Sequence, residues 1–339
     1  MAKPFLSICI PAYNRPDKLY SLLKTIDAAG AEEVEVVVIE DVSPRRAEIR
    51  NAVISFQKET PYKVVYRENE KNLGYDGNLN QLVRTAQGKW LVFMGDDDEF
   101  IPGALDKLIA FLKGHAGIVY VLRSYEVVHT RGGVEKFRYY TGNKFFEPGE
   151  ETYREIFRKS VFISGFTIQR EPILPYLIND FGMSGLTQIY WVAELVLKHT
   201  SAYFDEPIAR QREDNEYRAK EVYWDENKKI VPRPVNLKRS LDFMSNYAKI
   251  AKFMDEKHGL HSFSPIMRDL SKYSYPIISI HRDKGVKVFL EYVRELNKLG
   301  FNITAYYYIY VASLLIFRRS FCDFGIRMIK GIFGKTPRL

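Results

Sequence analysis

Short apolar segments alternate with amphipathic helical patterns through the first third of this 339-residue chain, and this alternation constrains the fold more than any other feature. Strands are predicted at residues 5–10, 34–39, 64–66, 90–94 and 118–122. Between them, apolar residues recur at the i, i+3, i+4, i+7 spacing of a helix, as at Leu19, Leu22, Leu23 and Ile26. We therefore predict an α/β fold in which a mostly parallel sheet carries helices on both faces.

The second half of the chain changes character. Strands are predicted at 161–168 and 203–209, with a helix beginning near Leu186 between them. From about residue 235 the pattern is helical, and the predicted helices are 236–257, 264–282, 285–299 and 303–319. The stretch before these helices is charged and contains prolines, which indicates a boundary. We predict an α/β domain over residues 1–215 and a helical region over residues 235–339.

Polar loops follow the predicted strands, at 13–15, 40–43, 69–72 and 96–99. In open α/β sheets, ligands bind outside the carboxyl ends of the strands, so these loops are expected to meet at one site. Asp96, Asp97 and Asp98 stand out because three adjacent carboxylates repel one another. Mg²⁺ or Mn²⁺ prefers oxygen ligands and often combines one or two carboxylates with substrate phosphates. We predict a divalent-metal site at these aspartates; the alternative is a solvated acidic turn that caps the next helix.

The other loops contain groups suited to a nucleotide. Tyr13 offers a ring for stacking on a base, and Arg15 offers a guanidinium for a phosphate. A carboxylate at Glu40 or Asp41 suits a base N–H or a ribose hydroxyl, and Gly74 permits close backbone approach. Each loop also has an ordinary structural explanation, as a packed tyrosine, a helix-capping turn or a glycine-rich connection.

The charge of the chain is concentrated near its end. The net charge is +8, yet residues 300–339 hold six basic side chains against Asp323, so the remainder is close to neutral. A nucleic-acid partner is therefore not expected, because such proteins usually carry a basic face over the core. The apolar segment 303–317 is too short to span a bilayer, and a basic amphipathic segment follows it. This pattern predicts binding to an anionic membrane surface; the alternative is packing on the α/β domain or on a second subunit.

The two cysteines, Cys9 and Cys322, lie at opposite ends of the chain. They indicate neither a disulfide framework nor a metal cluster, so the chain is expected to be intracellular.

Taken in order, the polar motifs resemble those of the inverting family-two glycosyltransferases, which have the Rossmann-like GT-A fold. The matching segments are 7–15, 37–43, 72–74, 95–98 with Pro102, and 205–207. The resemblance covers roughly residues 4 to 213. The Gly-Asp-Asp-Asp sequence at 95–98 is most similar to the bacterial O-antigen branch, which includes abequosyltransferase-like enzymes.

The resemblance implies a role for each matching position. The residues that would line the nucleotide site are Pro11, Ala12, Tyr13 and Arg15. Asp41, or Glu40, would contact the base, and Gly74 and Asn78 would flank the base and ribose. The Asp96–Asp98 cluster matches the aspartate-x-aspartate element that holds the metal and touches the ribose. Alignment from Pro102 makes Asp97 and Asp98 the best matches within it.

Two departures from the family pattern matter. Val42 stands where members have a glycine with positive φ. Gln188 and Ile189 occupy the positions of the usual Glu-Asp pair, so the catalytic base cannot be carried over. An inverting transfer needs a base near the acceptor hydroxyl. Asp180 is the preferred candidate and Glu194 the second, although a turn residue and a paired helix residue explain them as well.

The resemblance thus implies a metal-dependent transfer of a sugar from a nucleoside-diphosphate donor to a hydroxyl group. The acceptor would be a glycan or a polyprenyl-linked oligosaccharide of surface-polysaccharide synthesis, and the enzyme would sit peripherally on the inner face of the cell membrane. Two alternatives stay open. A nucleotidyltransferase is disfavoured because no glycine-rich, arginine-containing phosphate loop follows the first strand. A non-catalytic sugar-nucleotide scaffold is suggested by the missing Glu-Asp pair.

Overall fold

Four parallel strands form the first half of a central sheet, in the computed structural model that describes residues 3–129, 132–177, 185–212, 222–224, 230–232 and 237–333. The strands are β1 (Leu6–Ala12), β2 (Val34–Glu40), β3 (Lys63–Glu68) and β4 (Trp90–Phe93). They lie in the order β3-β2-β1-β4. Their carboxyl ends therefore meet at one edge, as the alternating pattern predicts.

The second half of the sheet is mixed rather than parallel. Its strands are β5 (Asp98–Phe100), β6 (Tyr120–Val128), β7 (Val134–Phe137), β8 (Lys144–Phe146), β9 (Phe166–Gln169) and β10 (Ser201–Arg212). β9 runs antiparallel between β4 and β6, whereas β10 is parallel to β6 and antiparallel to β5 and β8. β7 returns on β6 through residues 129–133, a connection too short for the crossover that parallel pairing requires.

Helices cover both faces of this sheet. They are α1 (Pro16–Leu23), α2 (Arg46–Glu59), α3 (Gly74–Thr85), α4 (Ala104–Gly114), α5 (Glu150–Ile156), α6 (Arg170–Ile173) and α7 (Thr187–Lys198). α1, α2 and α4 share one apolar core with the side chains of β1 and β2 that face them. On the opposite face, Trp191 of α7 lies 6.0 Å from the Phe93 ring of β4. A short 3₁₀ turn, Ile163–Gly165, leads into β9.

The chain divides into two compact units, residues 1–233 and 234–339. A small hairpin, β11 (Val222–Trp224) with β12 (Ile230–Pro232), belongs to the first. The second unit is helical, with α8 (Leu237–His258), α9 (Phe263–Lys272), α10 (Tyr275–Ser279), α11 (Val286–Lys298), α12 (Ala305–Ile316) and α13 (Arg319–Phe333). The single helix predicted over 264–282 is interrupted between α9 and α10, and Pro276 lies in the first turn of α10; proline suits the start of a helix and not its interior, because it has no N–H and its ring clashes with the carbonyl four residues earlier. Among the described residues, no helix combines the length and the apolar character needed to cross a bilayer.

Candidate active site

Hydrogen bonds join the loops that follow β1, β2, β3 and β4 at the carboxyl edge of the sheet. The backbone N–H of Tyr13 donates to Asp96 Oδ2 at 3.0 Å, which connects the β1 and β4 loops. The Asp41 N–H donates to the carbonyl of Ala12 at 3.3 Å, which connects the β2 and β1 loops. Asn72 Nδ2 donates to the Asp41 carbonyl at 2.8 Å, which adds the β3 loop. The polar loops identified in the sequence therefore do come together.

Arg15 binds the acidic loop, residues 95–99, that follows β4. Its Nη1 lies 2.9 Å from Asp96 Oδ1 and 2.9 Å from Asp97 Oδ2. Asp96 is buried, and both of its oxygens point at the β1 loop through Arg15 and the Tyr13 amide. The Asp97 side chain keeps 30% of its surface exposed, the largest share of the three aspartates.

Asp98 is held from the other side by a residue that the sequence did not point to. Ser164 Oγ donates to Asp98 Oδ2 and accepts from the Gly95 N–H at 2.8 Å, so one hydroxyl binds two residues of the acidic loop. A Cβ at Gly95 would lie 3.0 Å from Asp98 Oδ2 and 3.3 Å from Asp97 Oδ1, so these carboxylates would have to shift to accommodate a side chain here. Ser164 is distant from this loop along the chain, and no local pattern marks it.

Burial makes negative charge in this loop costly. Burial, together with the negative charge of Asp97 and against the pull of Arg15, raises the pKa of Asp96 to about 7 and the pKa of Asp98 well above the ordinary value. If all three aspartates are ionised, the single guanidinium of Arg15, which pairs with Asp96 and Asp97, does not balance their charge. A divalent cation fits this charge.

The three aspartates do not, however, form a three-ligand metal site. Nowhere in the described part of the chain do three histidine, cysteine or acidic side chains converge on one point suited to a metal ion. Of the predicted set Asp96, Asp97 and Asp98, it is Asp96 whose two oxygens are turned toward Arg15 and the Tyr13 amide. The residues present fit a cation held by one or two carboxylates, Asp97 and Asp98, with remaining positions left for ligand phosphates.

Asp41 organises the neighbouring β3 loop. Its Oδ1 accepts from the Leu73 N–H and from Asn69 Nδ2, each at 2.8 Å, and burial raises its pKa. Asn78 stabilises the same loop through two hydrogen bonds. Its Nδ2 donates to the Ile39 carbonyl at 3.1 Å, and its Oδ1 accepts from Asn69 Nδ2 at 3.2 Å. The predicted nucleotide residue Asn78 thus supports the loop from inside the fold.

Glu40 shapes the turn between β2 and α2. It is fully buried and accepts from the N–H groups of Val42 and Ser43. Arg46 Nε lies 3.0 Å from its Oε2. Because both oxygens are used inside the turn, Asp41 is the better placed of the two carboxylates predicted to contact a base.

Of the remaining predicted positions, three lie close to the same edge of the sheet and one lies outside the described residues. Pro11 and Ala12 end β1 in register with Ile39 and Glu40, and Gly74 opens α3 with a φ of 69°. Asp180, the preferred catalytic base, falls outside the described residues.

Glu194, the second candidate base, is fully buried in α7, with Lys198 Nζ 3.2 Å from its Oε2. Gln188, at the position of the usual pair, donates from Nε2 to the Val161 carbonyl at 3.1 Å. Neither contact marks the residue as a base, so among the described residues no base is identified.

Comparison with known proteins places this geometry in a wider context. Residues 7–171 match the family model "Glycosyl transferase family 2". The chain is 26% identical over 164 residues to GalNAc(5)-diNAcBac-PP-undecaprenol beta-1,3-glucosyltransferase of Campylobacter jejuni, covering 48% of this chain and 49% of that protein. It is 29% identical over 115 residues to abequosyltransferase RfbV of Salmonella typhimurium, covering 33% of this chain and 34% of that protein. The chain thus spans about a third to a half of the length of these curated relatives.

Two solved structures share the fold. TarS 1–349 of S. aureus in complex with UDP-GlcNAc has a TM-score of 0.58 at 15% identity, covering 87% of this chain and 80% of that one. Mannosyltransferase PcManGT of Pyrobaculum calidifontis, in complex with GDP-Man and Mn²⁺, has a TM-score of 0.50 at 14% identity, covering 93% and 87%. At such identities the likeness concerns the fold, and it confirms the predicted GT-A architecture followed by helices.

Proposed function

Because residues 7–171 of the chain form a glycosyl transferase family 2 domain, we propose that the protein transfers a sugar from a nucleoside-diphosphate donor to a hydroxyl group of a glycan or lipid-linked oligosaccharide. The predicted family and the predicted class of transferase enzyme are confirmed by this match. The donor, the acceptor and the use of a metal are proposals. The observation that supports them most directly is that Arg15 forms ion pairs with both Asp96 and Asp97 at the carboxyl edge of the sheet.

The donor site is assigned by the position of each loop. Pro11, Ala12 and Tyr13 line the nucleotide side, and Asp41 contacts the base beside the loop opened by Gly74. Asp97 and Asp98 hold Mg²⁺ or Mn²⁺, which when bound neutralises charge on the departing diphosphate. Arg15 keeps Asp96 and Asp97 in place and adds a positive charge facing the phosphates. The likeness in fold to complexes with UDP-GlcNAc and with GDP-Man and Mn²⁺ supports this arrangement.

The catalytic base is assigned to Asp180, which precedes α7. A base must face the acceptor hydroxyl on the side opposite the leaving group. Asp180→Asn is expected to abolish transfer while leaving donor binding intact, as measured by isothermal titration with the donor. Undiminished transfer by this variant would show that the base lies elsewhere.

A thermal-shift screen of UDP-, dTDP-, GDP- and CDP-sugars, with and without Mn²⁺, tests the donor site. We expect one nucleotide to raise the melting temperature, and to do so more strongly with Mn²⁺, because a ligand that binds the folded state stabilises it. The absence of any shift across the screen would contradict the donor site.

One observation favours a second function, that of a sugar-nucleotide-binding scaffold. The side-chain amide of Gln188 occupies the position of the usual acidic pair and is bound to the Val161 carbonyl. Donor binding without transfer or hydrolysis, across a panel of acceptors, would support the scaffold.

The acceptor is proposed to be lipid-linked because the second unit exposes an extensive apolar face. α12 carries no charged side chain, and Tyr307 and Leu314 are its buried large residues. The members of this apolar face, all exposed, are Tyr306, Ile309, Ile316, Phe317, Phe321, Phe324 and Met328. Ile316 alone keeps 73% of its surface exposed.

The chain beyond residue 317 adds several arginines and lysines, so we assign the apolar face to the anionic inner surface of the cell membrane. The name of the C. jejuni relative includes an undecaprenol-linked acceptor, which supports this assignment.

Vesicle flotation tests the membrane proposal. The full chain should float with phosphatidylglycerol-containing vesicles and less with neutral ones, and Phe321→Ser with Phe324→Ser should reduce flotation. Ile54→Ser, at an exposed apolar position on α2, serves as the control and should leave flotation unchanged. Equal flotation of the double variant and the wild type contradicts the assignment. Light scattering would reveal a second copy covering the same face.

A further inference from the structure

Arg123 carries a buried charge that the donor site does not use. It lies in β6 with its side chain completely buried, and within the described ranges no carboxylate forms an ion pair with it. Its Nη2 donates to the carbonyls of Ser164 and Phe166, each at 2.9 Å. Its Nε and Nη1 have no hydrogen-bond partner among the described residues. Burial lowers the pKa of Arg123 to about 9, so the group is still charged at neutral pH.

Such a group is costly for folding. A buried charge without a counterion loses its hydration and regains little from two neutral carbonyls. The cost points to a role other than general stability, so the contacts of Arg123 indicate what it does.

The two carbonyls that Arg123 binds flank Gly165, at the junction of the 3₁₀ turn with β9. The same turn presents Ser164 Oγ to the acidic loop, where it accepts from the Gly95 N–H and donates to Asp98. A continuous path of two hydrogen bonds therefore runs from Arg123 through Ser164 to Asp98.

We propose that Arg123 is a positioning residue for the cation site: it clamps the turn at 163–165 so that Ser164 holds Asp98 in place. This inference rests on the proposed function, because it takes Asp98 as a ligand of the cation. Arg123 itself touches neither the cation nor the donor in this scheme. Partners in the second coordination shell typically account for about 10- to 100-fold in metal affinity.

Mn²⁺ titration followed by electron paramagnetic resonance measures the effect without relying on activity. The protein is titrated with UDP or GDP present, whichever raises the melting temperature more. Arg123→Met and Ser164→Ala are each expected to weaken Mn²⁺ binding about 10-fold. The double variant should lose little more than either single one, because both act along one path. Arg123→Lys, which keeps one donor, should recover part of the affinity.

Arg170→Met is the matched control, because Arg170 Nε also donates to a backbone carbonyl, that of Val83, at 3.1 Å. This variant should keep the Mn²⁺ affinity of the wild type even if its melting temperature falls. Nucleotide affinity without metal should be unchanged in every variant.

Unchanged Mn²⁺ affinity in Arg123→Met and Arg123→Lys overturns the inference, and so do additive losses in the double variant. Should Arg123→Met fail to fold, Arg123→Lys with Ser164→Ala provides the same comparison. A wild-type protein that binds nucleotide but no Mn²⁺ contradicts the proposed cation site itself. If the wild type and the Arg123 variants all bind Mn²⁺ with the same affinity, the cation site stands and only the positioning role of Arg123 is contradicted.

Discussion

Val42 holds a backbone conformation that β-branched residues rarely adopt. Its φ is 56°, in the left-handed region, and Glu40 fixes this turn by accepting from the Val42 N–H at 2.9 Å. The resemblance placed a glycine at this position in other members, and the structure keeps the positive φ without the glycine. A side chain in this region costs about 1–2 kcal/mol.

Val42→Gly should therefore be more stable than Val42→Ala. Both variants remove the isopropyl group, but only glycine also removes the steric cost of the left-handed conformation. We expect a difference of about 1 kcal/mol in the free energy of unfolding, since the greater freedom of glycine in the unfolded chain offsets part of the gain. Urea unfolding followed by the fluorescence of Trp90 and Trp191, both in the first unit, measures it. Equal stability of the two variants would show that the turn is not strained.

At the scale of single residues, the sequence predicts which loops meet but not which side chains contact one another. The convergence of Tyr13, Asp41 and the acidic loop follows from the alternation of strands and helices, because parallel strands bring their carboxyl ends to one edge. Which aspartate faces Arg15 depends on side-chain directions set by the whole fold. Ser164 was missed for the same reason, because it meets Asp98 only through the insertion of β9 beside β4.

The N-terminus of α7 is capped from another helix. Asp76, in the first turn of α3, accepts from the Thr187 N–H at 3.0 Å and from the Gly185 N–H at 2.9 Å. These amides have no partner within α7 itself because they lie at its start. The contact ties the helix that follows the proposed base to the helix that borders the proposed donor site.

Asp76→Ala should lower the free energy of unfolding of the first unit by about 2 kcal/mol, because it removes a cap and leaves buried donors unsatisfied. Asp106→Ala is the matched control: Asp106 is also in the first turn of a helix and accepts from the Ala29 N–H at 3.0 Å, but at an exposed site. We expect the control to lose less than half as much in urea unfolding. Similar losses in the two variants would contradict a capping role across elements.

The elements that the sequence missed are those with weak local signals. α2 was not predicted, because its fourteen residues are largely polar and bury only Ile49, Val53 and Phe56. β5 is three residues long and begins within the acidic loop, so its pairing with β10 has no sequence signature.

His281 is expected to make the stability of the second unit depend on pH below neutrality. It is buried after α10, its ring lies 4.1 Å from that of Tyr292 in α11, and neither ring nitrogen has a hydrogen-bond partner in the described part of this unit. Burial lowers its pKa to about 4, and the charge of Lys284 acts in the same direction. Because the folded pKa lies below the unfolded value, the unfolded state binds the proton first as the pH falls.

Stability from this group is thus complete near pH 7 and is lost as the pH falls from about 6.5 toward 4. We expect a loss of about 2 kcal/mol between pH 7 and pH 5. Hydrogen exchange in peptides from residues 275–298, corrected for the intrinsic effect of pH, should show this loss in the wild type and not in His281→Gln. The same pH dependence in both proteins would mean that other groups are responsible.

Across the whole molecule, the sequence predicts an α/β region followed by helices. Within the sheet, it predicts the parallel half and not the mixed half. The parallel strands β1 to β4 follow from local patterns. The mixed half depends on β9 inserting antiparallel between β4 and β6, a choice of partner made by tertiary packing. The predicted roles of residues 1–215 and 235–339, for donor and for membrane, stay predictions.

The most direct test of the central claim compares metal-dependent donor turnover in the wild type and in Asp97→Ala/Asp98→Ala. The measured quantity is release of the nucleoside diphosphate, with Mn²⁺, from the sugar nucleotide that gives the largest thermal shift. Glu99→Gln is the control, because Glu99 is the next carboxylate along the chain and pairs with Arg212 at 2.7 Å. We expect a loss of at least about 100-fold in the double variant and little change in the control. Turnover and Mn²⁺ dependence equal to those of the wild type would contradict the proposal that the acidic loop holds the cation and, through it, the donor diphosphate.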